Sequence, residues 1–190
     1  MNSGRLQAFS DGVLAITITI LVFNLKAPET TDWGSLLPLL PEFLAHILTF
    51  IYVGIYWNNH HHLWHAANKV SGKILWANSH LLFWLSILPM ASNWLGKNFL
   101  SPYPLAFYGA ILFLSSFAWY LLIHFVTQEE TDNPEVRVIF AINNKTKLSL
   151  MAYIVGIICA FFTPMLSLII YYLVALAWFM PDKRIEINHR

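Results

Sequence analysis

Histidines crowd one short stretch of this chain: His60, His61 and His62 are consecutive, and His65 follows. On a helix, His61 and His65 fall at i and i+4 on one face, the spacing of a metal-binding pair. The usual hydrolytic companion is missing, because no His-Glu-x-x-His run occurs and no acidic residue lies close by. His46, His80 and His124 sit on different apolar segments and are the residues that could be offered to a haem. There are no paired carboxylates at motif spacing, no Ser-His-Asp arrangement with its local context and no glycine-rich phosphate loop, so the chain does not read as an enzyme. A second set of chemically active residues opens an apolar stretch near the N-terminus, where Arg5, Ser10 and Asp11 precede Thr17 and Thr19. A carboxylate in hydrocarbon costs several kcal/mol unless it is paired or wet, so Asp11 needs a partner or water.

The elements that must position these residues are long apolar helices. Residues 5–26 predict a helix of about 22 residues, enough at about 1.5 Å per residue to cross a bilayer. Gly12, Ile16, Thr19, Ile20 and Phe23 step by three or four and share one face of it. The residues leave two readings open: the buried first helix of a bundle with Asp11 satisfied by neighbours, or a helix that several copies turn toward a common axis. With 57% hydrophobic and 11% charged residues, and a mean hydropathy of +0.57, the chain is not an ordinary soluble domain, where about a quarter of residues are charged. Its near-neutral formal charge of +1 argues against nucleic acid as a partner. The lone Cys159 lies in an apolar run, so no disulfide forms within one chain. The N-terminus does not read as a cleavable signal, because polar Ser10 and Asp11 occupy the place of an apolar core.

Further helices are expected at 42–65, 74–95 (with a kink at Pro89) and 105–126, with loops at 29–41 and 96–104. Residues 127–147 form a polar linker with a short amphipathic helix around 136–142. The last block, 148–180, is too long for one span and carries Thr163-Pro164 near its middle, so it predicts two helices joined by a tight turn. The expectation is an all-α integral membrane protein with six transmembrane helices in one domain, residues 1–190. With six spans, Arg5, Lys69, Lys73, Arg137, Lys145, Lys147, Lys183, Arg184 and Arg190 gather on the side of both termini. Lys26 and Lys97 lie opposite, and 9 against 2 makes up the 11 basic residues. The positive-inside rule then places both termini in the cytoplasm, with a bacterial plasma membrane as the expected site.

Hairpin topology brings the end of the second helix and the start of the third to the level of Ser10 and Asp11. Asp11, Ser10 and Arg5 are therefore expected to pair with members of Asn59, His60, His61, Asn78 and His80, a network that would hold one arrangement. The run Arg5-x-x-x-Phe9-Ser10-Asp11-Gly12 with Ala15 to Thr19, the Trp57-x-Asn59-His60-His61 patch and the Leu88-Pro89 step resemble the transmembrane protein 175 family of potassium channels. The resemblance implies a homotetramer whose first helices line a central pore in the bilayer. It places the constriction at Ile16, with Ile20 and Phe23 as further layers and Thr19 supplying hydroxyls. Phe23 stands where an aliphatic residue is expected. Isoleucine rings gate by dewetting, and no Thr-Val-Gly-Tyr-Gly filter is present. Monovalent cations, potassium foremost, are then the permeating partners, with no cofactor and no metal. Rival readings are a His-rich membrane metal or haem redox protein and a small secondary transporter, the latter opposed by the absence of an internal repeat.

Overall fold

In lipid a backbone must satisfy its own polar groups, and apolar stretches of about 20 residues do so as helices. The computed structural model describes residues 3–133, 136 and 144–179. Among these residues there are six α-helices and no strand: α1 (Ser3–Phe23), α2 (Leu40–Ala66), α3 (Gly72–Lys97), α4 (Pro102–Glu129), α5 (Asn144–Phe162) and α6 (Pro164–Phe179). The first five are long and apolar enough to cross a membrane. Helix α6 has 16 residues to the end of the described stretch, about 24 Å against a hydrocarbon core of about 30 Å. The chain is an integral, multi-pass membrane protein.

The helices start earlier than the prolines suggested. A 3-10 helix, Trp33–Leu39, fills most of the expected loop at 29–41 and runs into α2. Asp32 caps it by accepting from the Ser35 backbone N–H at 3.2 Å, and the Thr30 hydroxyl at 2.7 Å holds the Asp32 carboxyl below its ordinary pKa range. Helix α4 likewise begins at Pro102 rather than 105. Proline in a first helical turn forfeits no hydrogen bond, so Pro41, Pro102 and Pro104 belong to helices although they read as loop. Pro89 lies inside a continuous α3. The expected break at Thr163-Pro164 is present, with Thr163 alone between α5 and α6 and its N–H on Cys159 O at 2.7 Å. Apart from buried Val136, the amphipathic helix expected over 136–142 lies outside the described residues.

Lipid offers helices no hydrophobic reason to associate, so close packing and interhelical hydrogen bonds carry the bundle. Tyr52 donates to Tyr171 O (2.7 Å), Tyr172 donates to Leu44 O (2.9 Å), and Tyr108 shares a hydrogen bond with Thr49 (2.9 Å). Gly109 makes room for the Tyr171 ring, which any Cβ there would strike. Helix α2 packs on α3 and α6, α3 on α4, α4 on α5, and α5 on α6. Helix α1 lies against α2 and α3.

Candidate pore helix and its polar anchor

Helix α1 divides its residues sharply between two faces. Leu6, Ser10, Leu14, Thr17 and Leu21, at spacings of three and four, are its buried residues. The two hydroxyls on this face are self-satisfied, since Ser10 donates to Leu6 O and Thr17 to Val13 O, each at 2.9 Å. They let α1 approach its neighbours without leaving a polar atom stranded. The opposite face holds Arg5, Phe9, Gly12, Ala15, Ile16, Thr19, Ile20 and Phe23, all exposed in the single chain, with Ile16 at 61% and Phe23 at 82%. Thr19 donates to Ala15 O at 2.9 Å. With its proton turned back on the helix, the Thr19 oxygen shows only lone pairs to whatever lies outside, the polarity a cation requires.

The buried face is tied to α2 and α3 by a polar chain. Asn78 Nδ2 donates to Ser10 Oγ (3.0 Å), and Asn78 Oδ1 lies 2.8 Å from His60 Nε2. Trp64 donates its indole N–H to that same His60 nitrogen at 2.9 Å. Nε2 serves one of the two at a time: it accepts from Trp64 with the ring proton on Nδ1, and donates to Asn78 with the proton on Nε2. His60 Nδ1 is itself buried without a partner. Ser10, Asn78 and His60 are all buried, so three of the expected residues come together in one network.

The other expected members stand elsewhere. Asp11 accepts from the Trp57 indole at 3.1 Å and, among the described residues, makes no hydrogen bond to any of the five expected partners. His61 Nδ1 lies 3.0 Å from the side-chain nitrogen of Gln7, and Trp57 stacks on the His61 ring. Asn59 donates to Ile55 O on its own helix, and His80 accepts from Trp84 on its own helix at 2.8 Å. Among the described residues Arg5 has no ion pair or hydrogen bond. Phe9 and Gly12 belong to the open face. The physical reason is helical direction: Arg5 and Asp11 project away from the side that packs on α3, and Asn59 and His80 point off the α1 contact. Sequence reasoning missed Gln7 and the tryptophans. The i, i+4 spacing of Trp57/His61, His60/Trp64 and His80/Trp84 is the signal that could have found them.

The histidines offered to a haem do not gather at one place. His61 and His65 do face each other, with ring centroids 4.4 Å apart. Among the described residues, however, no three of His, Cys, Asp and Glu group as metal ligands. His46 and His80 lie toward opposite ends of the antiparallel pair α2 and α3, and His124 is engaged with Gln128 and Tyr120 on α4.

The sequence pattern of the family described as endosomal/lysosomal potassium channel TMEM175 matches residues 5–89, which hold α1, α2 and the polar anchor. A potassium channel of Chryseobacterium sp. (strain P1-3) is 51% identical over 186 residues, 98% of this chain and 97% of that one. The chain belongs to the TMEM175 family. The crystal structure of a lysosomal potassium-selective channel TMEM175 homolog from Chamaesiphon minutus superposes with a TM-score of 0.80 at 26% identity, covering 93% of this chain and 95% of that one. The human endosomal/lysosomal proton channel TMEM175 is 33% identical over 103 residues, 48% of this chain and 20% of the human protein. The TMEM175 family is one of ion channels rather than enzymes, and membership implies no cofactor.

Proposed function

We propose that this chain is one subunit of a potassium-permeable cation channel, a homotetramer in which four copies of α1 surround the axis. The observation that carries the reading is the open face of α1, where Gly12, Ile16, Thr19, Ile20 and Phe23 are exposed in the single chain. One helix cannot enclose a pore, so copies must meet, and closed cyclic symmetry is the ordinary solution. Ile16 forms the narrowest ring and gates by dewetting, with Ile20 and Phe23 as further layers. Thr19 supplies four acceptor oxygens beside the constriction, through which a cation passes partly hydrated. The Ser10–Asn78–His60 network holds α1 at a fixed rotation, so that Ile16 and Thr19 keep facing the axis. Residues 1–190 act as one channel domain, in a bacterial plasma membrane with both termini cytoplasmic, as the 9 to 2 division of basic residues supports.

The test is ion flux through the purified protein in liposomes, comparing potassium with sodium, alongside Ile16→Asn. Potassium flux that rises or loses selectivity in the variant is the expected result. No flux from either protein, in vesicles shown to hold assembled oligomer, would overturn the reading.

A further inference from the structure

At the end of the bundle opposite the His60 network, α1, α2 and α3 enclose a small crevice. Leu21 and Leu25 form its apolar wall, and Asn24, Glu42, His46, Asn93 and Ser92, the last donating its hydroxyl to Ala45 O at 3.1 Å, bring polar groups to it. The free space takes about one water-sized particle. Glu42 and His46 are i and i+4 on α2 and so share a face. Asn93 precedes Gly96 by three residues on α3, and a Cβ on Gly96 would lie 2.8 Å from Glu42 Cα. The glycine thus lets the two backbones touch, which fixes Asn93 relative to Glu42. Asn24, just past the end of α1, is pinned by donating Nδ2 to Pro89 O at 3.2 Å, which leaves its Oδ1 uncommitted.

What distinguishes this crevice is how little its polar groups do for the fold. Among the described residues, the Glu42 carboxylate, the His46 ring and the Asn93 amide make no hydrogen bond or ion pair, and His46 Nδ1 is buried without a partner. Half-buried polar groups of this kind are ordinarily satisfied, and a cluster of unsatisfied ones points to a water or an ion. The C-terminal end of α1 adds its carbonyl dipoles, which favour a positive charge. Imidazole with carboxylate and amide oxygen is a donor set for borderline divalent ions, whereas calcium and magnesium take oxygen alone and copper(I) takes thiolate.

We propose that Glu42 and His46, completed by the amide oxygens of Asn24 and Asn93 or by water, bind a borderline divalent cation such as zinc at this end of the bundle. The ion ties the end of α1 to α2 and α3. The site does not depend on where the pore lies, so its test uses no ion flux.

The experiment is calorimetric titration of the assembled, chelator-treated protein with zinc chloride, with magnesium chloride as the control. The expected result is one zinc ion per chain, no magnesium binding, and affinity at least tenfold weaker in both His46→Gln and Glu42→Gln. The double variant His61→Ala/His65→Ala removes the facing imidazoles at the other end of α2 and should bind zinc as the parent does. Asn93→Asp supplies a charged oxygen and should tighten binding severalfold, a gain that damaged folding cannot produce. Zinc binding that survives His46→Gln but disappears in the double variant would move the metal to the other end of the bundle and overturn the proposal. An absence of zinc binding by the parent protein would overturn it equally.

Discussion

Helices α1 and α6 both turn a face away from the rest of the chain, but the two faces are made differently. Helix α6 exposes Met165, Leu166, Ile169, Leu173, Leu176, Ala177 and Phe179, an apolar surface without a hydroxyl or a charge, suited to lipid tails. Helix α1 exposes Phe9, Ile16, Ile20 and Phe23 as well, but interleaves them with Gly12, Ala15 and Thr19 and begins with Arg5. Exposure alone therefore says little in a membrane protein. The admixture of small and hydroxyl-bearing residues is what separates a face fit for other copies and ions from one fit for lipid.

The largest expected effect lies on neither open face but on the one that α1 buries. Leu14 is 1% exposed, whereas Ile16, two residues on, is 61% exposed. Leu14→Ala leaves a cavity against α2 and α3 and should cost about 2–5 kcal/mol. Ile16→Ala leaves none within the subunit, and its thermal denaturation in detergent should stay within about 0.5 kcal/mol of the parent. Equal losses in the two variants would mean that α1 does not divide as described.

A polar substitution sharpens the contrast between α1 and α6 directly. Leu173→Asn puts an amide into hydrocarbon with no partner and should destabilise by about 1–3 kcal/mol, seen as lower yield of folded protein. If Ile16 faces the proposed axis, Ile16→Asn should leave yield and assembly intact while raising flux. If both variants lose yield alike, the outer face of α1 meets lipid.

How much of this was legible before the structure depended on the kind of signal. The helices were, because blocks of about 20 apolar residues carry their own length argument. The break at Thr163 was legible too, since the residue before proline leaves the α region. Helix starts at Leu40 and Pro102 were not, because a proline reads as a breaker unless the first turn is already known. In the polar anchor, topology brings Ser10 to the level of Asn59, His60, His61, Asn78 and His80, since an up-down hairpin sets which ends lie together, but not which of the five it meets. Asp11 finding Trp57, and His61 facing Gln7, depended on side-chain direction, which spacing does not specify across helices.

Arg5 tests where one copy ends and the next begins. It is exposed and makes no ion pair among the described residues, so its guanidinium is available to a neighbouring copy. If the chain assembles as proposed, Arg5→Ala should shift it from tetramer toward smaller species on size-exclusion chromatography, with the fold of each subunit unchanged by circular dichroism. A normal tetramer with altered conductance would instead assign Arg5 to the permeation path.

The smallest structural change should give the most specific answer. Thr19 keeps its proton on Ala15 O, so the hydroxyl holds no other part of the fold together. Thr19→Val has nearly the same shape and removes only the oxygen. Subunit stability should stay within about 0.5 kcal/mol of the parent. If four such oxygens stand beside the Ile16 ring, their loss deprives a partly hydrated cation of acceptors where its water shell is thinnest, and the potassium-to-sodium permeability ratio should fall severalfold. Thr19→Ser restores the oxygen without the methyl group and should recover most of that ratio. Recovery separates the chemistry of the hydroxyl from the width of the ring, because serine is smaller than valine yet would act like threonine. A ratio unchanged in Thr19→Val would remove Thr19 from the pore and leave the isoleucine ring to discriminate by dewetting alone.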